Sequence, residues 1–271
     1  MININSKVFV AGHNGMLGSS ILRILKKKGY KKILTIDKKK LDLRNQNAVR
    51  KFFKSSKPDA VIIAAAKAGG IKANIKYPAN FISDNLQIQT NLILSSHINN
   101  VKKLILFGSS CIYPKNLKKP IKENQILTGE LEKTNESYAI AKIAGIKMCQ
   151  AYNKQYKTKY LCLMPTNTYG PNDNYHSLNS HFFASLIKKA HQCKIRKKKT
   201  LTIWGSGRPR REVIFVDDIA DACLFFMKKN IKKTIINIGT GKDFSIKEYA
   251  KIISSRINPK MSLKIKFDKS K

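Results

Sequence analysis

The chain has 271 residues, of which 53 are basic and 16 acidic, a formal net charge of +37. Such a charge ordinarily points to nucleic acid. Here 45 of the cations are Lys and only 8 Arg, scattered without aromatic interleaving or an Arg-rich stripe, so no specific nucleic-acid partner is expected. At 42% apolar residues the chain is too rich for disorder, and its longest clean apolar run, Ala60 to Ala66, is too short to cross a bilayer. The five cysteines lack Cys-x-x-Cys spacing, so neither a disulfide framework nor a metal site is expected. Met1 to Lys7 lacks the charged start and long apolar segment of a signal peptide, and a cytoplasmic location is the expectation.

The elements alternate. Lys7 to Ala11 reads as a strand, Met16 to Lys28 as a helix, and Ile33 to Ile36 as a second strand. Ala48 to Lys54 reads as helix and Ala60 to Ala64 as strand; Pro78 opens a long helix to about Ile98, and Leu104 to Phe107 follows as strand. A helix capped by Ser137 runs to Tyr156, and Tyr160 to Met164 is the next strand. Continuous apolar strands between amphipathic helices describe an α/β, doubly wound parallel sheet covered on both faces. After Pro165 comes a polar, turn-rich stretch to Ser180, a helix to Cys193, strands at Leu201 to Trp204 and Val213 to Val216, and a helix capped by Asp217. Ile235 to Ile238 reads as another sheet strand, Ser245 as the cap of a last helix, and Leu263 to Phe267 as a final strand. The expected organisation is a Rossmann-type domain over 1–170 and a smaller substrate lobe over 171–271 that partly returns to the sheet near 213–240.

Gly12, Gly15 and Gly18 follow the first strand and open a helix, where glycine lets a backbone approach a pyrophosphate and the helix N-terminus adds positive potential. After the second strand, Asp37 would favour the ribose hydroxyls of NAD, whereas Lys38 and Lys39 suit the extra phosphate of NADP. Asp42-Leu43 suits either the adenine or a plain turn. Tyr138 and Lys142 lie four apart on one helix, so they face the same way. An ammonium beside a phenol favours the phenolate, so a lowered pKa and a proton donor near neutral pH are expected. The spacing alone is weak, because ten Tyr and 45 Lys produce such pairs by chance. With the glycine turn before it and Gly108-Ser109-Ser110-Cys111 after a strand, the set points to hydride transfer with a nicotinamide cofactor.

These segments, with Ala64 to Ile71, Ile112-Tyr113-Pro114-Lys115, Pro165-Thr166-Asn167-Thr168-Tyr169-Gly170-Pro171 and Asn179-Ser180-His181, together resemble the GDP-L-fucose synthase family of the extended short-chain dehydrogenase/reductases. The resemblance implies NADPH-dependent conversion of GDP-4-keto-6-deoxy-D-mannose to GDP-L-fucose by a multifunctional, homodimeric enzyme. It implies that Tyr138 donates a proton to the C4 oxygen, that Lys142 supports it and binds ribose, and that Ser109 hydrogen-bonds the same oxygen. Cys111 and His181 would be the base and acid that invert C3 and C5. Cofactor contacts would come from Gly12, His13, Asn14, Gly15, Met16, Leu17, Gly18, Lys38, Phe107, Gly108, Ser109, Ser110, Lys142, Pro165, Thr166, Asn167, Thr168 and His181. Lys189, Trp204 and Arg211 would meet the GDP end, although a lone Trp after an apolar strand is equally often core packing. Family members continue past the position of Lys271, so a shortened substrate lobe is a further expectation. Two other readings stay open: a different nucleotide-sugar epimerase or dehydratase on this scaffold, and a non-catalytic nucleotide- or polyanion-binding protein.

Overall fold

The computed structural model describes residues 2–117, 120–176, 180–259 and 263–268. Eleven strands and eight α-helices are ordered β1 (Val8–Ala11), α1 (Met16–Lys27), β2 (Ile33–Leu34), α2 (Gln46–Ser56), β3 (Ala60–Ile63), α3 (Ile71–Lys76), α4 (Pro78–Ile98), β4 (Lys103–Phe107), α5 (Glu136–Tyr156), β5 (Tyr160–Pro165), β6 (Asn167–Tyr169), α6 (Phe182–Ile195), β7 (Thr200–Trp204), β8 (Arg210–Phe215), α7 (Val216–Lys228), β9 (Ile235–Ile238), β10 (Asp243–Ser245), α8 (Ile246–Ile257) and β11 (Lys264–Asp268) among the described residues.

Six strands form one sheet in the order β2-β1-β3-β4-β5-β9, every pair parallel. Burial on both faces explains the continuous apolar strands. Along β1, Phe9 and Ala11 face a core shared with Val49 and Phe53 of α2, Leu92 and Ile93 of α4, and Ile143 and Ile146 of α5. Val8 and Val10 face the opposite core, with Ile21 and Leu25 of α1 and Ile219 and Leu224 of α7. The strand period of two thus splits one apolar run between two layers. The strand order reverses between β2 and β3 across β1, which opens a crevice at the carboxyl ends where such sheets bind ligands.

A third core joins Leu186 and Ala190 of α6, Leu201 and Ile203 of β7, and Tyr249 and Ile253 of α8. Strand β7 pairs with β11 in parallel, and β8 lies between β6 and β10. The 213–240 segment contributes α7 against α1 and β9 at the edge of the main sheet.

Two expected caps are displaced. Helix α5 starts at Glu136, with Asn135 at the cap position and Ser137 already helical, an acid in the first turn suiting the positive helix end. Asp217 is likewise inside the first turn of α7, and its carboxylate accepts from Ser20 and Arg23 of α1 instead of capping its own helix. Ser245 does cap α8, in a reciprocal box with Glu248. The short α3, β6 and β10 have no clear periodicity over so few residues.

Candidate active site

Each glycine after β1 has its own reason. Gly12 adopts φ +88°, and a Cβ there would lie 2.6 Å from the Ala65 backbone nitrogen. A Cβ on Gly18 would collide with the Gly12 carbonyl oxygen, so this glycine lets α1 pack on its own approach turn. Gly15 has an ordinary φ of −77°, and its Cβ would meet only the Gly12 oxygen at 3.5 Å. Packing does not require it. As the cap of α1 it offers no side chain to the first-turn N–H groups, leaving a bare helix N-terminus of the kind that takes a phosphate.

Beside this turn lies a cleft of about 330 Å³ at the carboxyl ends of β1, β2 and β3. Its lining includes Gly12, His13, Asn14, Gly15 and Lys38 from the expected cofactor set, together with Asp42 and Leu43. Met16, Leu17 and Gly18 belong to α1 and are not in the lining. Asp37 and Lys38 are placed differently. Asp37 accepts a hydrogen bond from Asn14 Nδ2 at 2.7 Å and lies 3.5 Å from His13 Nε2, whereas Lys38 lines the cleft.

Sequence reasoning missed a charged network on the cleft wall. Arg44 reaches Asp42 at 2.6 Å and Asp84 at 3.1 Å, and Lys67 reaches Asp84 at 3.3 Å. The Arg44 hydrogen bonds hold the Asp42 carboxyl at about 2. The signal was the Asp42-Leu43-Arg44 turn; Asp84 lies 40 residues further on and only the fold brings it near.

Tyr138 and Lys142 lie one turn apart on α5, and Lys142 Nζ is 5.8 Å from the Tyr138 ring centroid. The ammonium donates to the Phe107 carbonyl at 2.8 Å, at the end of β4. Lys142 is only 4% exposed, and burial pulls its amine down to about 8. Burial also drives the Tyr138 phenol above its ordinary value, with Cys111 adding to the rise. The expected lowering of the phenol is therefore not found: desolvation outweighs an ammonium whose hydrogen bond goes to a carbonyl. A phenol so raised is fully protonated at neutral pH, the state a proton donor needs.

Ser109 Oγ accepts from the Cys111 amide at 3.4 Å. The loop is anchored by buried Ile112 and by Tyr113, whose hydroxyl donates to Asn237 of β9 at 2.6 Å. Burial raises the Cys111 thiol, against the pull of Ser109 and Lys142. Ser109, Cys111, Tyr138 and Lys142 are thus assembled where β4 meets α5. Phe81 of α4 packs edge-on against Tyr138, with ring centroids 6.2 Å apart. Gly145 leaves room for Gln89 of α4, which donates to the Ala141 carbonyl, so the two helices approach closely.

His181 stands at the N-terminal cap of α6, and Asn179 lies outside the described residues. The imidazole is pushed below its ordinary value by burial, against Asp173, although the residue as a whole keeps solvent contact. Of the expected segment after β5, Thr166 Oγ1 is buried with no hydrogen-bond partner among the described residues, and Asn167 Nδ2 donates to the Glu212 carbonyl.

Trp204 ends β7, where Leu201 and Ile203 point into the core and Thr200, Thr202 and Trp204 point out. It is 42% exposed, so the core-packing reading does not hold. Lys189 Nζ lies 4.6 Å from its ring centroid and donates to Thr202 O at 3.3 Å. Lys72 of α3, absent from the sequence-derived set, lies 4.2 Å from the same ring. Arg211 is exposed on β8 and donates to the Arg210 carbonyl.

The residues fit a dinucleotide: a bare helix N-terminus beside Gly15, a cation in the adjoining cleft, and the orphaned Thr166 hydroxyl. A larger cleft of about 610 Å³ lies at the opposite edge, around Lys103, Lys159 and Lys229. It gathers the C-terminal ends of α4, α5 and α7, whose partial negative charge those lysines offset.

Residues 8–239 match the model of the NAD dependent epimerase/dehydratase family. GDP-L-fucose synthase 1 of Arabidopsis thaliana is 49% identical over 253 residues, covering 93% of this chain and 78% of the relative. A GDP-6-OMe-4-keto-L-xylo-heptose reductase from C. jejuni superposes with a TM-score of 0.92 at 36% identity, covering 100% of this chain and 88% of its own. A GDP-L-fucose synthetase from Naegleria fowleri bound to NADP superposes with a TM-score of 0.91 at 26% identity, covering 100% of this chain and 83% of its own.

Proposed function

The chain belongs to the NAD dependent epimerase/dehydratase family, and from that premise we propose that it is a GDP-L-fucose synthase, an NADP-dependent oxidoreductase acting on a GDP-sugar. It converts GDP-4-keto-6-deoxy-D-mannose to GDP-L-fucose by inversion at C3 and C5 followed by reduction at C4. The observation that carries this reading is the group at the end of β4: Ser109, Cys111, Tyr138 and Lys142 in one place, on a chain 49% identical to a GDP-L-fucose synthase.

Bound NADPH would supply the hydride, held by the Gly12 to Gly18 turn, Lys38 and the segment Pro165 to Thr168. The protein's own residues move the protons. The C4 ketone acidifies the C–H bonds on both neighbouring carbons. Cys111, as thiolate, takes a proton from one face, and His181 returns one on the other. Because burial keeps Cys111 as a thiol, deprotonation is a cost that Ser109 and Lys142 reduce. Tyr138 then gives its proton to the C4 oxygen as that carbon is reduced, with Ser109 hydrogen-bonding the same oxygen. Lys142 and Trp204 hold the two ends of the reaction apart: Lys142 by the ribose, Trp204 with Lys189 and Arg211 at the nucleotide.

The reading also includes a homodimer in the cytoplasm. Light scattering in solution tests the homodimer. Addition of GDP-4-keto-6-deoxy-D-mannose to enzyme and NADPH should give decay of NADPH absorbance, with GDP-L-fucose as the identified product. A second reading, C4 reduction without inversion, is favoured by the similarity to a GDP-heptose reductase. It requires an unepimerised product with no solvent deuterium at C3 or C5.

A further inference from the structure

Lys72 lies outside every role assigned above. It sits on α3, in the sheet half of the molecule, yet its ammonium lies 4.2 Å from the centroid of the Trp204 ring of β7, and Lys189 of α6 lies 4.6 Å from the same centroid. We propose that Lys72 is a binding residue for the diphosphate of the nucleotide-sugar, gripping it together with Lys189 across the two lobes at Trp204. This rests on the GDP-sugar reading.

Two ammoniums held at one indole repel each other, and a cation–π contact at an exposed ring returns little against that. Burial lowers the Lys189 amine, Asp268 pulls it back up, and Lys72, more weakly than either, pushes it down. With both lysines charged, the cluster stays net positive even when Asp268 is counted. A dianionic bridge between the ammoniums would turn the repulsion into attraction, and a diphosphate carries acceptor oxygens on two adjacent phosphoryl groups.

The backbone under Lys72 is firmly placed. Asn74, 6% exposed, donates to the Gly69 and Gly70 carbonyls at 2.9 and 3.1 Å. Asn85, 2% exposed, accepts from the Lys67 amide and donates to the Lys67 carbonyl. Lys72 itself is exposed and contributes nothing to the core, so its removal leaves the fold intact. A nucleoside diphosphate also suits the remaining partner, because the indole offers an aromatic surface next to the cations.

Trp204 is the only tryptophan in the chain, so its emission reports on this site. GDP would be titrated into wild type, Lys72→Ala and Lys72→Arg by calorimetry, with Trp204 emission followed in parallel and NADPH affinity measured for each. The expected result is GDP binding that weakens roughly tenfold in Lys72→Ala and is largely restored in Lys72→Arg, with NADPH affinity equal in all three. Equal GDP affinity in wild type and Lys72→Ala would overturn the assignment and leave the proposed function standing. A parallel loss of NADPH affinity would also overturn it, since Lys72 would then be holding its loop. Wild type that binds NADPH but not GDP would instead defeat the GDP-sugar reading itself.

Discussion

Lys142 and Cys111 show how burial sets the terms of the chemistry. The Lys142 amine is lowered from 10.5 to about 8, so the native protein binds fewer protons than the unfolded chain between those values. The charged lysine therefore costs stability in full below pH 8, and the cost fades as pH rises toward 10.5. Lys142→Met should abolish reduction yet stabilise the fold at pH 7 by about 2 kcal/mol, after allowing for the lost bond to Phe107 O. The gain should shrink above pH 8 and be gone before pH 10.5, and thermal denaturation across that range measures it. For Cys111 the active form is the thiolate and the thiol is raised, so deuterium exchange into the sugar should climb about tenfold per pH unit from neutral pH. The climb should slacken above about 8, where Lys142 loses the charge that helps the thiolate. Cys111→Ser should nearly stop exchange while slow NADPH oxidation continues; full deuterium incorporation by this mutant, read by mass spectrometry, would place the base elsewhere.

At the scale of the element, the turn between β1 and α1 combines two unlike demands on glycine. Gly18→Ala puts a methyl into the Gly12 carbonyl, so it should lower thermal stability by several degrees and weaken cofactor binding with it. Gly15→Ala meets nothing nearer than 3.5 Å and has an ordinary φ, so stability should stay within about 0.5 kcal/mol of wild type while NADPH affinity falls at least tenfold. Comparable stability losses in both variants would show that Gly15 is a packing glycine. The β2 turn carries a parallel test. Lys38→Ala should weaken NADPH more than NADH, because only NADPH has the additional phosphate for an ammonium to meet; equal losses would remove Lys38 from that role.

The whole molecule carries its charge of +37 mostly as dispersed lysine, so it should bind duplex DNA of any sequence weakly at low salt and lose that binding steeply between 50 and 200 mM salt. Fluorescence anisotropy with unrelated duplexes checks this; a sequence-selective complex surviving at high salt would contradict it. The alternation of strand and helix, the glycine turn and the Tyr138 and Lys142 spacing were legible in the chain because each is a local pattern: period two, period 3.6, and residues one turn apart. The outward placement of Trp204 was legible in principle too, from its phase with Leu201 and Ile203 in β7. Other features depended on the tertiary fold. Asp84 reaches Arg44 across 40 residues, Asp217 is drawn from its helix cap to Ser20 and Arg23, and Lys72 meets Trp204 from the other lobe. The fold also reversed the expected sign of the Tyr138 shift, because desolvation depends on everything packed around a group, whereas spacing along a helix reports only its neighbour.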